Sequence, residues 1–166
     1  MPWREFVLTN IGPGLLGGIS TGQWRRLLAD NRYSISPKHA VRLGSITWNA
    51  ALNSAAIRWE NRRQAEWDAL DIEPPLFVLG HWRTGTTFLH NLLSRDPCSA
   101  FPTTLQCMFP GSFLISRHTI GWIVSAMLPS KRPMDDIPVG LDAPFEDEFA
   151  LAKLGVASTY AALASP

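Results

Sequence analysis

Eight consecutive residues in this sequence concentrate groups able to hold an anion: Gly80-His81-Trp82-Arg83-Thr84-Gly85-Thr86-Thr87. Glycines let a backbone come close to a phosphate, two threonine hydroxyls follow the second glycine, and a guanidinium precedes it. The spacing is glycine, four residues, glycine, as in loops that wrap nucleoside triphosphates, but those continue with Lys and then Ser or Thr. Here Thr86 stands where the lysine would be, and the positive charge lies upstream at Arg83. With no ammonium to span the β- and γ-phosphates, the loop suits a shorter anion, one 5′-phosphate carrying a small transferable group, with no metal required.

Such a loop works only if a strand and a helix hold its ends. Leu76-Phe77-Val78-Leu79 is a short continuous apolar run stopped by Gly80, the pattern of a strand buried on both faces of a parallel sheet. Beyond the loop, Phe88, Leu89, Leu92 and Leu93 repeat at helical spacing until Asp96-Pro97 stops them. Strand, tight loop and helix in this order make the first half of a βαβ unit.

Upstream, residues from Gln23 to about Trp67 read as helical. Trp24, Leu27 and Leu28 are spaced for a first helix, and Ser36-Pro37 is a start signal for a second. Val41, Trp48, Leu52, Ala55 and Trp59 then recur at steps of seven, four, three and four, which puts them on one face of a long helix. Arg42, Arg58, Arg62 and Arg63 lie off that stripe and read either as a solvated face or as a basic surface lying on phospholipid head groups. Glu73-Pro74-Pro75 ends the segment, because a residue before proline leaves helical geometry. The chain is therefore expected to divide into a helical segment, 1–73, and an α/β part, 74–166.

Downstream, Phe113, Ile120, Ile123 and Met127 predict a helix ending near Leu128-Pro129, followed by a loop from Ser130 to Asp142. A last helix is expected to begin near Asp142 to Phe145. Its first turns would hold Glu146, Asp147 and Glu148, where carboxylates meet the positive end of the helix dipole.

The segment from Pro75 to Leu89, PLFVLGHWRTGTTFL, resembles the 5′-phosphosulfate-binding loop of sulfotransferases that use 3′-phosphoadenosine 5′-phosphosulfate (PAPS), in the variant with arginine in the loop. Leu92-Leu93-Ser94-Arg95-Asp96-Pro97, Phe101 to Cys107 and Pro144 to Leu151 are similar to a group of bacterial sulfotransferase-like proteins, as are Gly22-Gln23-Trp24 and Leu27 to Arg32. The resemblance implies an α/β, P-loop-like fold, a parallel sheet flanked by helices and preceded by the helical N-terminal segment. It also implies an enzyme that moves a sulfuryl group to a hydroxyl or amine on a small-molecule, glycan or lipid acceptor. Gly80, Thr84, Gly85, Thr86 and Thr87 would bind the cofactor's 5′-phosphate, and Arg83 would both bind it and offset charge on the bridging oxygen as its bond to sulfur breaks. Glu146 and Glu148 are the candidate bases, with His81 and His118 behind them. His90 reads as solvated, and Trp82 as core or as a surface for adenine. The resemblance places the 3′-phosphate site on a later strand and helix, so the sequence is expected to be the N-terminal part of a larger protein with an incomplete sheet.

Composition narrows the partners. Of 166 residues, 46% are hydrophobic and 17% charged, enough apolar mass for a core. Fifteen Lys and Arg against fourteen Asp and Glu give a net charge of +1, so no global field recommends nucleic acid. Cys98 and Cys107 have no metal-ligand spacing and read as thiols of a reducing compartment, hence a cytoplasmic protein. Ile11 to Ile19, broken by glycines and a proline, and the proline-containing run Pro97 to Ser116 are poor spans, so any membrane contact is expected to be peripheral.

Overall fold

The structure, a computed structural model, describes residues 16–33, 36–81, 84–131 and 137–156. Trp82 and Arg83 lie outside these residues, as do residues 132–136 of the loop expected between Ser130 and Asp142.

The first helix, α1 (Thr21–Asp30), starts two residues before the predicted segment because Ser20 and Gln23 form a capping box. The Gln23 amide donates to Ser20 Oγ at 3.2 Å, and the Ser20 amide donates to Gln23 Oε1 at 2.9 Å. Ser36-Pro37 does open the second helical segment, but through a 3₁₀ turn, Pro37–His39, and the serine side chain makes no capping bond. The long helix α2 (Ala40–Glu60) follows, then a second 3₁₀ turn, Asn61–Arg63, and the short α3 (Gln64–Asp68).

Helices α1 and α2 enclose the core. Ile19, Trp24, Ile46 and Ala50 are buried together, with Leu16, Leu27, Leu28 and Leu43 packed around them. Trp24 takes its indole N–H to Thr47 Oγ1 at 3.0 Å, so burying the ring leaves no orphaned donor. The face that α2 turns inward is not the predicted stripe. Val41, Trp48, Leu52 and Trp59 face solvent, whereas Ile46, Ala50, Asn53 and Glu60 are buried. Polar side chains occupy the inner face because the backbone there needs them. Asn53 Nδ2 donates to the carbonyls of Gly18 at 2.6 Å and Ile19 at 3.2 Å, and Glu60 Oε1 accepts the Ile115 amide at 2.8 Å.

These bonds tie α2 to the later part of the chain. Ser112 donates to Asn53 Oδ1, and a side chain at Gly111 would collide with Ile57. Gly18 has a positive φ of 78°, and a Cβ there would strike the carbonyl of Met108. The predicted helix at 113–128 is two helices, α6 (Phe113–Thr119) and α7 (Gly121–Met127), preceded by α5 (Thr104–Met108). Gly121 is buried at the junction between α6 and α7.

Two further expectations are corrected. Residues 71–81 form no strand, and Leu76, Phe77 and Leu79 are exposed. Pairing among the described residues outside helices is limited to two isolated antiparallel bridges, Thr103 with Pro144 and Lys131 with Pro138. A buried parallel strand needs hydrogen-bonded neighbours, and the described residues supply none for 76–79. The last helix, α8 (Glu148–Leu154), begins later than expected. The residues before it are held in a turn by backbone bonds to 102–105: the amides of Thr104 and Leu105 donate to the carbonyls of Ala143 (2.9 Å) and Leu141 (3.0 Å), and that of Phe145 to Pro102 (3.0 Å).

Candidate functional site

Thr84 lies in a tight turn with His81. Its amide donates to the His81 carbonyl at 3.3 Å and its hydroxyl to the same oxygen at 2.6 Å. The chain then folds back far enough that a Cβ on Gly80 would lie 2.5 Å from Thr86 Cγ2 and 2.9 Å from Thr84 Oγ1. Only glycine fits at 80 without displacing those threonines. Gly85 caps α4 (Thr86–Leu93) with φ 87° and ψ 14°, the left-handed region where a residue with a Cβ is strained.

The first amide of α4 to reach a carbonyl one turn back is that of Leu89, which donates to Gly85 at 3.0 Å. The amides of Thr86, Thr87 and Phe88 come before it and face the open end of the helix, beside the Thr86 and Thr87 side chains. Because Thr84 spends its amide and hydroxyl within its own turn, the donors for an anion narrow to residues 85–88 and the Thr86 and Thr87 hydroxyls. Thr84 and Gly85 are exposed, and Thr86 and Thr87 are half-buried. The loop is open to a ligand.

Thr87 also meets the segment that precedes the acidic trio. Together with Asn91, Thr104, Val139, Pro144 and Phe145 it lines a cavity of about 30 Å³. The 102–105 pairing that delays α8 is what carries Phe145 to α4, so Glu146 follows directly from a residue at this cavity. Glu146 is exposed, and Glu148 is half-buried as the first residue of α8, behind Asp147 at the cap. Phe145 and Phe149 pack at 5.2 Å between ring centroids. Asn91 and Thr104 were not singled out from sequence. The signal for Asn91 was present, since it lies four residues after Thr87 on the same helical face. Thr104 reaches the cavity only through a pairing distant in sequence.

The histidines are dispersed. His81 is exposed at the turn and His118 is exposed on α6. His90 is half-buried rather than solvated, its ring edge-on to Phe101 at 6.3 Å. Beyond Phe101 is an open apolar groove of about 380 Å³, lined by Phe101, Pro102, Gln106, Cys107, Pro110 and Phe113 among others. Cys107 is buried and Cys98 exposed, both as free thiols. Burial pushes the Cys107 thiol up to about 11, opposed by the nearby Lys153 charge. Lys153 is pushed down to about 8 by its own burial, and its ammonium donates to the carbonyls of Cys107 (3.2 Å) and Met108 (3.0 Å) at the end of α5. Among the described residues no cluster of His, Cys, Asp and Glu could hold a metal ion, and no helix is long and apolar enough to cross a membrane.

A family model described as "Sulfotransferase family" matches residues 74–148, from the segment before the loop through the first residue of α8. Over these residues the chain is similar to the sulfotransferase family. Among curated relatives, it is 34% identical over 168 residues to the omega-hydroxy-beta-dihydromenaquinone-9 sulfotransferases of Mycobacterium bovis and of Mycobacterium tuberculosis. Each match covers 99% of this chain and 41% of the relative, so the chain spans about two-fifths of the length of the curated relatives it matches. No solved structure matches it.

Proposed function

We propose that this protein is a PAPS-dependent sulfotransferase whose loop 80–87 holds the 5′-phosphosulfate and whose acceptor is a hydroxyl on a lipid. The observation that carries the reading is the fold-back in which Gly80 lies against Thr84 and Thr86 while Gly85, at a positive φ, starts α4. In the finer reading of the fold, the loop belongs to a P-loop-like α/β domain, with α4 as the helix that follows it.

In the reaction the acceptor oxygen attacks sulfur as the bond from sulfur to the bridging phosphate oxygen breaks. The sulfuryl group moves to the acceptor, and adenosine 3′,5′-bisphosphate leaves. Amides at the start of α4 and the Thr86 and Thr87 hydroxyls bind the phosphate in both states. Arg83 acts on the bridging oxygen, where negative charge grows only as the bond opens. The acceptor's proton goes to a carboxylate. Glu148, half-buried at the start of α8, and Glu146 beside it are the groups proposed for that step.

Two features favour a lipid acceptor. The mycobacterial relatives are named for a hydroxylated dihydromenaquinone. The apolar groove beyond Phe101 offers this chain a seat for a hydrocarbon tail. The test is transfer of labelled sulfate from PAPS to hydroxylated prenyl acceptors, read in the organic extract. Label on such acceptors, lost in Arg83→Ala, supports the reading. Magnesium-dependent hydrolysis of ATP with no sulfuryl transfer would contradict it.

A further inference from the structure

The long helix α2 buries its mixed face and leaves its most apolar one outside. Val41, Trp48, Leu52, Ala55 and Trp59 lie on one narrow stripe, at about 100° per residue. The two tryptophans are 68% and 51% exposed. From Val41 to Trp59 the stripe runs about 27 Å along the helix. Isolated exposed hydrophobes are ordinary, but an aligned row with two indoles is a surface that water does not favour.

The charge around the row selects its partner. Residues 38–63 hold five basic side chains, Lys38, Arg42, Arg58, Arg62 and Arg63, and one acid, Glu60. Glu60 is 0% exposed and bound to the Ile115 amide, Arg63 is paired with Glu66 at 2.8 Å, and Arg42 is half-buried, so the positive charge of the outer surface is that of Lys38, Arg58 and Arg62, although the whole chain carries only +1. Arg58 and Arg62 are exposed and fall to one side of the stripe near its C-terminal end, with Lys38 exposed before its N-terminal end. Two copies pairing through this stripe would bring basic ends together in either direction. An anionic lipid surface would neutralise both ends while the indoles take the boundary between head groups and acyl chains, the position they prefer.

We propose that the outer face of α2 is a docking surface for anionic membranes. It lies flat, with Trp48, Leu52 and Trp59 at the head-group boundary and Arg58 and Arg62 on lipid phosphates. The proposal stands on α2 and the turns that flank it and is independent of the transfer chemistry, since its test involves no PAPS.

The test is flotation of the purified chain with vesicles of phosphatidylcholine, with and without phosphatidylglycerol. The expected result is co-flotation only with phosphatidylglycerol, weakened by salt. Removing Arg58 and Arg62 together as glutamines should lower the partition about fivefold for each arginine. Trp48→Ser with Trp59→Ser should abolish flotation while circular dichroism stays unchanged, because both side chains are already exposed. Absence of binding to anionic vesicles would overturn the proposal, as would binding indifferent to the tryptophan changes. Concentration-dependent dimerisation abolished by the same tryptophan changes would assign the stripe to a second copy and equally overturn it.

Discussion

Two regions of the chain differ in how their backbone groups are satisfied. Between Leu16 and Glu60, α1 and α2 bury a shared core, and Asn53 Oδ1 and Glu60 Oε1 find partners as far away as Ser112 and Ile115. Between Asp71 and Leu93, no residue is fully buried among those described, and Leu76, Phe77 and Leu79 of the apolar run face water. The first region is stabilised by contacts between helices adjacent in sequence. The second carries the motif proposed to bind the anion, and its organisation is the His81–Thr84 turn and helix α4. On the proposed function, chemistry and stability reside in different places, and substitutions should separate them.

The largest stability effect is expected at Trp24. Trp24→Ala empties the centre of the α1–α2 core and should cost about 3–5 kcal/mol in denaturant unfolding. Phe88→Ala, an equally drastic truncation on exposed α4, should stay within about 0.5 kcal/mol. Equal losses at the two positions would erase the contrast between the regions.

Arg83→Ala should invert the pattern. Turnover should fall roughly a hundredfold or more while cofactor affinity and unfolding change little. Unchanged turnover with weakened cofactor binding would make Arg83 a plain phosphate anchor.

Asn53→Ala comes next. It leaves the buried carbonyls of Gly18 and Ile19 without this donor and Ser112 without its acceptor, at about 1–3 kcal/mol of stability. Anion binding by the loop should be untouched, as checked by titration of the folded variant.

The contrast also follows what was legible in the sequence. The loop could be read because its chemistry is local: Gly80, Arg83, Gly85 and the threonines fall within eight residues, and the positive φ at Gly85 is the geometry that favours glycine there. The helices after Gly22 and Thr86 could be read from periodicity. Periodicity alone could not say which side of α2 faces in, because Asn53 and Glu60 are drawn inside by backbone groups far along the chain. The late start of α8 was hidden for the same reason, since it depends on residues 141–145 pairing with 102–105. Leu76-Phe77-Val78-Leu79 has the pattern of a buried strand, but that pattern reports what the residues suit, and the described residues offer it no neighbour.

The smallest effect concerns pH. Lys153 binds its proton less tightly in the folded chain, at about 8 against an ordinary 10.5. Below pH 8 the folded state bears the whole cost of a desolvated ammonium. From 8 upward it sheds the proton while the unfolded chain keeps it, so stability rises with pH. Cys107, raised from 9 to about 11, acts oppositely above pH 9. A modest rise in melting temperature is therefore expected between pH 8 and 9, flattening above. Lys153→Met should remove the rise, and a rise that persists would assign it to another group.

The central claim is that the Gly80–Thr87 loop holds the 5′-phosphate of a sulfate-donor nucleotide. Calorimetric titration of the chain and of Gly85→Val with adenosine 3′,5′-bisphosphate and with ATP–Mg tests it most directly. The bisphosphate should bind in preference to ATP–Mg. Gly85→Val should abolish that binding while the circular dichroism of the helical region stays intact, because valine is strained at φ 87° and α1–α2 packs elsewhere. Preference for ATP–Mg, or bisphosphate binding that survives in Gly85→Val, would contradict the account.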